Sequence, residues 1–533
     1  MAPRFSPARR RFVLTLAILL LALPLRGSVQ STYLWEALDS TSYDYAATVL
    51  ADTDGNYRAY WCATEGATAN ATESEGAFVK ANNVPWNFYP PQQYALRTTG
   101  VRIVRERHVA TNERWDRIMQ FDFGIPAGYT TDRVLGFLRR DRHDASGASI
   151  ELWECTWGSD HFITAFKDYE CPGLPATKLG YAYNTGGAGL SPRYRCIHPG
   201  TGDHMTSMDP GCEGTGYTLE GPLGNWRDGG SYTHPQLGTW EVSPFGDGAF
   251  LCPSSVIKDS DNVYYMSYTA SPHIGNGGPF NELFLATSTD GTNFTPVVDA
   301  AGMPRRLATY TSTYQGDVST RDAELGYPGN ISTAFGVGGG SLLKVGREYR
   351  LYFADSSRYI SSNAPGCPNH VPDVPKGGTQ WRQVLRTASS ITGLLDNATE
   401  AGQCVTAVDQ NGAQASFADQ QAFSGAPVVN DTQNGSYWTY RGEASRTIVY
   451  WARSGDTSGT TFFVAGPNQG TVNDLGGDNQ HHTPAGLFRD RYGSVSSCCG
   501  WYVYVGHSHR TCDPGSDNTC GFDHMGVTLF QPQ

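Results

Sequence analysis

GAFLCPSSVIKDSDNVYYMSYTA (248–270) decides the fold. It opens on small residues, runs through an apolar stretch to Lys258, breaks at Asp259-Ser260-Asp261-Asn262, and resumes as a tyrosine-rich stretch. Turn-forming residues between two β-branched or aromatic runs read as strand, turn, strand. The same form recurs in YDYAATVLADTDGNYRAYWC (43–62) and GVGGGSLLKVGREYRLYFADSS (336–357). Looser copies are SGAPVVNDTQNGSYWTYRG (424–442) and TPAGLFRDRYGSVSSCCGWYVYVGH (483–507). An outer half follows as LFLATSTDGTNFTPV (283–297) and, degraded, as IVYWARSGDTSGTTFF (448–463). With 62 glycines, 30 prolines and 12% aromatics but no long helical periodicity, the chain reads as all-β. Five such units predict a five-bladed β-propeller; a pair of β-sandwiches fits the repeated form less well.

A second periodicity interrupts the first. GYTTDRVLGFL (128–138), ATKLGYAY (176–183) and GYTLEGPLGNW (216–226) carry Leu-Gly at positions 44 residues apart. Cys155 and Cys171, and likewise Cys196 and Cys212, stand 16 residues apart around GSDHF (158–162) and TGDHM (201–205). A period of this length marks a supersecondary unit that buries its apolar face only against its neighbours. Residues 95–226 are therefore expected to form an inserted three-repeat, β-trefoil-like module, with Cys155–Cys171 and Cys196–Cys212 bridged inside the repeats. Cys62 and Cys252 are then left for each other, across the insertion. The expected order is a leader over 1–27, a first blade over 32–94, the module, and blades two to five over 227–533. An insertion at a surface connection between blades costs little.

The leader sets the compartment. Arg9, Arg10 and Arg11 precede FVLTLAILLLALPL (12–25), too short for a comfortable membrane span. A basic segment followed by a short apolar one reads as a secretory signal, with an uncleaved anchor as the alternative. Twelve cysteines, an even number, fit an oxidising compartment. Cys498, Cys499, Cys512 and Cys520 read as two further bridges, or with His507 and His509 as a zinc site. Without the leader's five arginines the net charge falls from −12 to −17, which argues against nucleic acid or an anionic membrane as partner. Oligomeric state is not legible.

The paired motifs resemble the five-bladed propeller glycoside hydrolases, the superfamily of families 43, 62, 32 and 68. CPSSVIKDSDNVYYMSYTA (252–270) followed by ATSTDGTNFTP (286–296) is similar to one of its blades, and FGVGGGSLLKVGREYRLYFADSS (335–357) to the next. The 95–226 module resembles short Gly-Asp-His-Phe repeats of secreted bacterial proteins. The first resemblance implies carboxylates around the channel mouth. One activates water or attacks the sugar, and one protonates the leaving oxygen.

On that reading Asp44 is the candidate general base, with Asp247 and Glu324 as the other catalytic acids. Asp317, Asp322 and Asp419 lie in comparable loops. The fit is incomplete: Pro253 stands where the family places its second acid, and GVGGGS (336–341) offers none. Tyr43 and Trp240 are candidate substrate-binding residues, and Trp157 and Trp226 lesser ones. No cofactor is required. A central-channel Ca2+ held by His481, beside His482, is the one metal the resemblance implies. The Asp160-His161 and Asp203-His204 pairs recur in register and read as structural. The expected function is a secreted hydrolase of arabinan, xylan or fructan, binding polysaccharide or oligosaccharide. The alternatives are a non-catalytic carbohydrate-binding or adhesion propeller, and a structural surface protein.

Overall fold

The computed structural model describes residues 29–39, 44–63, 76–82, 93–97, 100–118, 127–234, 238–242, 251–270, 273–274, 282–299, 304–308, 337–355, 382–398, 402–408, 411, 428–431, 436–442, 449–454, 458–464, 483–489, 501–508 and 522–532. These residues are nearly all strand, with two short α-helices at Lys167–Glu170 and Ile391–Asp396.

Five sheets follow one plan. Sheet A is Asp44–Ala51, Tyr57–Ala63, Gly76–Asn82 and Gln93–Arg97 in order. Sheet B is Leu251–Lys258, Tyr264–Ala270 and Glu282–Ser288, the last flanked by Thr295–Pro296 and Arg306–Ala308. Sheet C is Val337–Val345, Glu348–Asp355, Arg382–Ala388 and Gln403–Cys404. Sheet D is Val428–Asp431, Ser436–Gly442, Val449–Ser454 and Thr461–Val464, with Thr406–Val408 parallel to its outermost strand. Sheet E is Thr483–Arg489, Trp501–Ser508 and Phe522–Pro532, completed by Val29–Asp39 from the other end of the chain. The first strand of each sheet lies beside the first strand of the next, A to B, B to C, C to D, D to E, and E back to A. Sequence alone would pair Val29–Asp39 with its chain neighbours; the ladder to Phe522–Pro532 instead joins the two ends of the described chain.

Two repeated contacts hold sheets A, B and C together. Asp52 at the end of sheet A's first hairpin arm accepts hydrogen bonds from Lys258 (2.9 Å) and Tyr264 (2.5 Å) of sheet B. Asp259 of sheet B accepts from Lys344 and Tyr349 of sheet C in the same way. In mid-strand, the Ser255 hydroxyl accepts the Leu342 N–H (2.7 Å), and the Ser341 hydroxyl accepts the Val428 N–H (2.9 Å). The first strand is the free edge of each sheet, and the serines satisfy backbone donors that the ladder leaves open.

The inserted segment forms its own nine-stranded sheet, Gly100–His108 through Thr218–Arg227, whose strands pair only with one another among the described residues. Each copy is a long strand, a short return strand and a second long strand. The copies are Gly100–His108, Arg114–Ile118 and Tyr129–Arg139; Ala148–Trp157, Asp160–Thr164 and Ala176–Tyr183; and Leu190–Ile197, His204–Ser207 and Thr218–Arg227. The three return strands adjoin one another, and the three closing strands pair at Tyr181–Arg139, Tyr183–Asn225 and Arg227–Phe137. Gln93–Arg97 belongs to sheet A, and the nine-stranded sheet begins with Gly100–His108.

This ring explains the Leu-Gly period. Leu135, Leu179 and Leu223 enter one core with Val101, Ile103, Leu152, Ile163 and Trp226, drawn from all three copies. Each following glycine has positive φ and faces the next closing strand. A Cβ would meet Arg227 O at 3.1 Å from Gly136, Arg139 O at 2.5 Å from Gly180 and Tyr183 O at 3.1 Å from Gly224.

The disulfides Cys155–Cys171 and Cys196–Cys212 close two copies. In the first copy Glu106 stands at the cysteine position, opposite Trp115 as Cys155 is opposite Phe162 and Cys196 opposite Met205, and its neighbour Arg105 is buried. Its guanidinium donates to Asp132 (2.8 Å), Glu213 (2.8 Å) and Thr206 O (3.1 Å). Glu213 and Cys212 both take left-handed backbone (φ 59° and 52°), a cost that the disulfide and the Arg105 pair jointly offset.

Opposite Arg105 in the ladder stands Asp116, fully buried, with its carboxylate accepting the Thr206 N–H at 2.5 Å. Burial pushes its pKa up to about 7, Arg105 opposing and Asp203 adding to the rise.

Two predictions follow from this packing. Gly180→Ala should cost more than ~1 kcal/mol in denaturant unfolding, because both φ and space exclude a side chain. Gly158→Ala, also at positive φ but with no atom within 4 Å, should cost less. For Asp116, the folded state keeps a proton that the unfolded chain releases above the ordinary carboxylate pKa. Its contribution to stability therefore declines as pH rises from about 4 to about 7 and is flat above. Melting temperatures between pH 4.5 and 8 should show a shallower decline in Asp116→Asn than in the parent.

Candidate functional site at the opening ends of the sheets

The clamps fix the direction of the first strands. Asp52 and Lys258 join the far ends of the first strands of sheets A and B, and Asp259 and Lys344 those of B and C. At the other end, the disulfide Cys62–Cys252 joins A to B. Cys62 pairs with Tyr45, the second residue of sheet A's first strand, and Cys252 is the second residue of sheet B's. The first strands of A, B and C thus all open at one end of the ring.

That end is shaped by bulges. The first-strand registers slip between Tyr45 and Thr48, Pro253 and Ser255, Gly338 and Ser341, and Pro484 and Gly486. All four slips end opposite the same position of the second strand, at Tyr60, Ser267, Tyr352 and Tyr504. Bulges bend a strand and re-aim its side chains, and proline is tolerated there because no ladder N–H is needed. Pro253, which stands where the resemblance implies an acid, is accommodated in the first strand by this bulge.

Asp44 is the first residue of sheet A's first strand and pairs with Ala63, directly beside Cys62. Among the described residues it is the one carboxylic acid on which a first strand opens. Asp247, Glu324, Tyr43, His481, His482, Asp317, Asp322 and Asp419 lie outside the described residues, as do Cys498, Cys499, Cys512 and Cys520.

Two acids that sequence reasoning passed over stand at the same end. Asp355 closes sheet C's second strand opposite Val337, and Glu282 opens sheet B's third strand opposite Ala270. Glu282 is buried and paired with Arg306 (2.8 Å), which suits structure rather than proton transfer. Asp355 was visible in FADSS, at the end of a tyrosine-rich strand, but only the ladder places it at the opening end.

The module's polar residues serve its seams. His204 Nδ1 lies 2.6 Å from Asp160, and Asp203 accepts the Tyr217 hydroxyl and the Arg114 N–H. His161 stacks on Trp115, whose indole N–H donates to Glu154 at 2.6 Å. Apart from the Tyr217 hydroxyl, which lies in the same copy as Asp203, these contacts run between copies. Trp226 is fully buried, its indole N–H donating to Leu223 O, so it packs the core instead of offering a ring to a sugar; Trp157 is exposed. Among the described residues no group of three or more His, Cys, Asp or Glu is placed to hold a metal ion, and no helix is long and apolar enough to cross a membrane.

No family model and no curated protein matches the chain. It is similar to the solved structures of a β-xylosidase (11% identity over 95% of this chain and 98% of that one, TM-score 0.37). Others are a family 43 β-xylosidase/α-arabinofuranosidase from a compost microbial metagenome (11%, 94% and 95%, TM-score 0.38) and an α-L-arabinanase from Penicillium chrysogenum (11%, 94% and 98%, TM-score 0.36). At these identities and TM-scores the likeness decides nothing about activity.

The far-end clamp carries its own test. Burial opposes ionisation of Asp52, but its hydrogen bonds from Tyr264, Lys258 and Arg58 outweigh burial and hold the carboxyl well below its usual range. Its contribution is present above the ordinary carboxylate pKa and is lost as pH falls below it. Asp52→Asn, which strands two cations, should cost about 3 kcal/mol at neutral pH and less at pH 3, read by denaturant unfolding at both.

Proposed function

We propose that the chain is a secreted glycoside hydrolase of the arabinan, xylan or fructan class, with the five sheets as blades of a β-propeller and its mouth at their opening ends. The observation that carries this reading is the place of Asp44. It opens the first strand of sheet A at the end where the first strands of B and C also open, beside the Cys62–Cys252 bridge. Asp44 acts as the base toward water, or as nucleophile. The proton donor is drawn from Asp355, Asp247 and Glu324. A pair of carboxyl groups about 5–9.5 Å apart is what glycoside hydrolysis needs, and their spacing sets retention or inversion.

The rest of the reading follows the sequence. Residues 1–27 direct secretion, the module is a separate trefoil-like domain, and His481 is the ligand that would hold a channel cation such as Ca2+. Such an ion would order the channel and add positive charge near the acids. A non-catalytic carbohydrate-binding propeller is the second reading. It is favoured by Pro253 and by the acid-free opening of sheet C's first strand at Val337-Gly338.

The purified protein would be assayed on arabinan, xylan, levan and aryl glycosides beside Asp44→Asn and Asp355→Asn. Asp44→Asn should keep fold and binding yet lose about 10²–10⁴-fold in turnover, because an amide cannot take a proton from water. Activity that survives the substitution removes Asp44 from the mechanism. Binding without turnover on any substrate selects the second reading.

A further inference from the structure

The three copies of the inserted module do not use their turn residues alike. In the first and third, the first long strand leads into a histidine that the fold employs. His108 Nδ1 accepts the Thr111 N–H (3.1 Å) and His198 Nδ1 the Thr201 N–H (3.2 Å), so each closes its turn. Each ring also meets the tyrosine of its copy's Gly-Tyr-Thr segment, His108 on Tyr129 at 4.9 Å and His198 on Tyr217 at 5.2 Å. The second copy differs at both places. Trp157 stands opposite Asp160, as His108 stands opposite Glu113 and His198 opposite Asp203, and Leu174 replaces the tyrosine. An indole has no acceptor with which to close a turn, and Trp157 is 69% exposed.

The loop after the return strand repeats the exchange. In the third copy Asp209 accepts the Gly211 and Glu213 N–H groups (2.6 and 2.9 Å) and so shapes the chain around Cys212. The second copy has Phe166 two residues past its return strand, where the third has Asp209, and then Tyr169 in the short helix before Cys171. Phe166 is 67% exposed and Tyr169 87%. These rings flank one disulfide. Trp157 is two residues from Cys155 and Tyr169 two from Cys171, and the cysteine Cα atoms are 6.2 Å apart, so the Cα atoms of Trp157 and Tyr169 lie within about 21 Å. A single exposed apolar side chain is ordinary, but three large rings on one bridged loop form a patch.

Size and charge select the occupant. Aromatic side chains have about 150–250 Å² each to bury, so these three offer roughly 350–550 Å², short of the ~800 Å² per partner of a stable protein interface. From Trp157 to Pro175 the chain holds no arginine, and its one lysine, Lys167, lies over the Trp153 ring at 4.2 Å, so nothing there calls for an anionic ligand. Glu170 is held by Arg195 (2.9 Å), which leaves the exposed Asp168 as an acceptor for hydroxyl groups. We propose that this surface of the second copy binds a neutral polysaccharide, with Trp157, Phe166 and Tyr169 stacking on the apolar faces of its sugar rings. The inference rests on the carbohydrate-directed reading above and adds to it a non-catalytic site, borne by the module and present once per chain.

Retardation of the full chain in native gels cast with arabinan, xylan or levan tests it. On the polymer that the parent binds, Trp157→Ala and Tyr169→Ala should each raise the apparent Kd about tenfold, a loss of roughly 1.4 kcal/mol. Both should melt like the parent, because exposed side chains outside the fold's contacts contribute little to stability. Trp157→Tyr should recover most of the lost affinity, since it restores a flat ring. A Trp157→Ala/Tyr169→Ala double variant that binds within about twofold of the parent overturns the site and leaves the carbohydrate reading standing. So does a parent that sediments as a dimer beside a monomeric double variant, which would make the patch a contact between copies. A parent that neither binds nor cleaves any of the three polymers overturns both.

Discussion

A buried carboxylate on one sheet must find a cation on the next, and this requirement governs how the ring stacks. Asp52 and Asp259 are both almost inaccessible to solvent, and each is answered from the following sheet by a lysine and a tyrosine. An uncompensated charge at either place would cost several kcal/mol, so the sheets hold only the relative position that brings lysine to aspartate. The pattern also changes coherently along the ring. By register, Val345 occupies the acid position at the C–D seam, and Asn430 the cation position. Both charges are missing together. There the seam uses the Tyr352 hydroxyl on Gly459 O (3.0 Å) and Arg350 on Ser458 O (2.6 Å).

The module solves the same problem of closing a ring with different chemistry. Three copies meet through backbone contact at glycine, and disulfides fasten two of them. The first copy has Glu106 where the cysteine would stand, and its neighbour Arg105 reaches Glu213 and Thr206 O in the third copy. A bidentate guanidinium pair and a disulfide both fix two chain segments, but only the former adds a buried charge, here answered by Glu213 and Asp132. Asp116, opposite Arg105 in the ladder, has its pKa raised by its own burial, with Arg105 opposing the rise.

Much of this was legible in the residues. Strand–turn–strand copies and the 44-residue period come from local chemistry, turn residues and apolar alternation, and Leu135, Leu179 and Leu223 share one core. What the sequence hid is long-range. Nothing local to Val29–Asp39 says that it pairs with Phe522–Pro532, and nothing local to Asp355 says that it ends level with the start of Val337–Val345. Pro253, in the position where the resemblance implies an acid, sits at a bulge on the free edge of its sheet, where no ladder N–H is needed. The clamps were present in the text as Asp-Thr-Asp-Gly and Lys-Asp-Ser-Asp turns, which read only as turns until the neighbouring sheet supplied the partner.

The two ends of the ring have different duties, and the division accounts for the composition of each. Far ends carry the charged clamps and tightly hydrogen-bonded turns, where rigidity is useful and the groups are fully partnered. Opening ends carry bulges, small residues and a disulfide, with the Glu282–Arg306 pair beside them. A carboxylate meant to exchange protons cannot be held as Asp52 is, since three donors keep that group ionised far into acid. The strand that Asp44 opens is fixed at its opening end by the covalent bond through Cys62, next along the ladder, whereas its far end is fixed by the hydrogen bonds to Asp52.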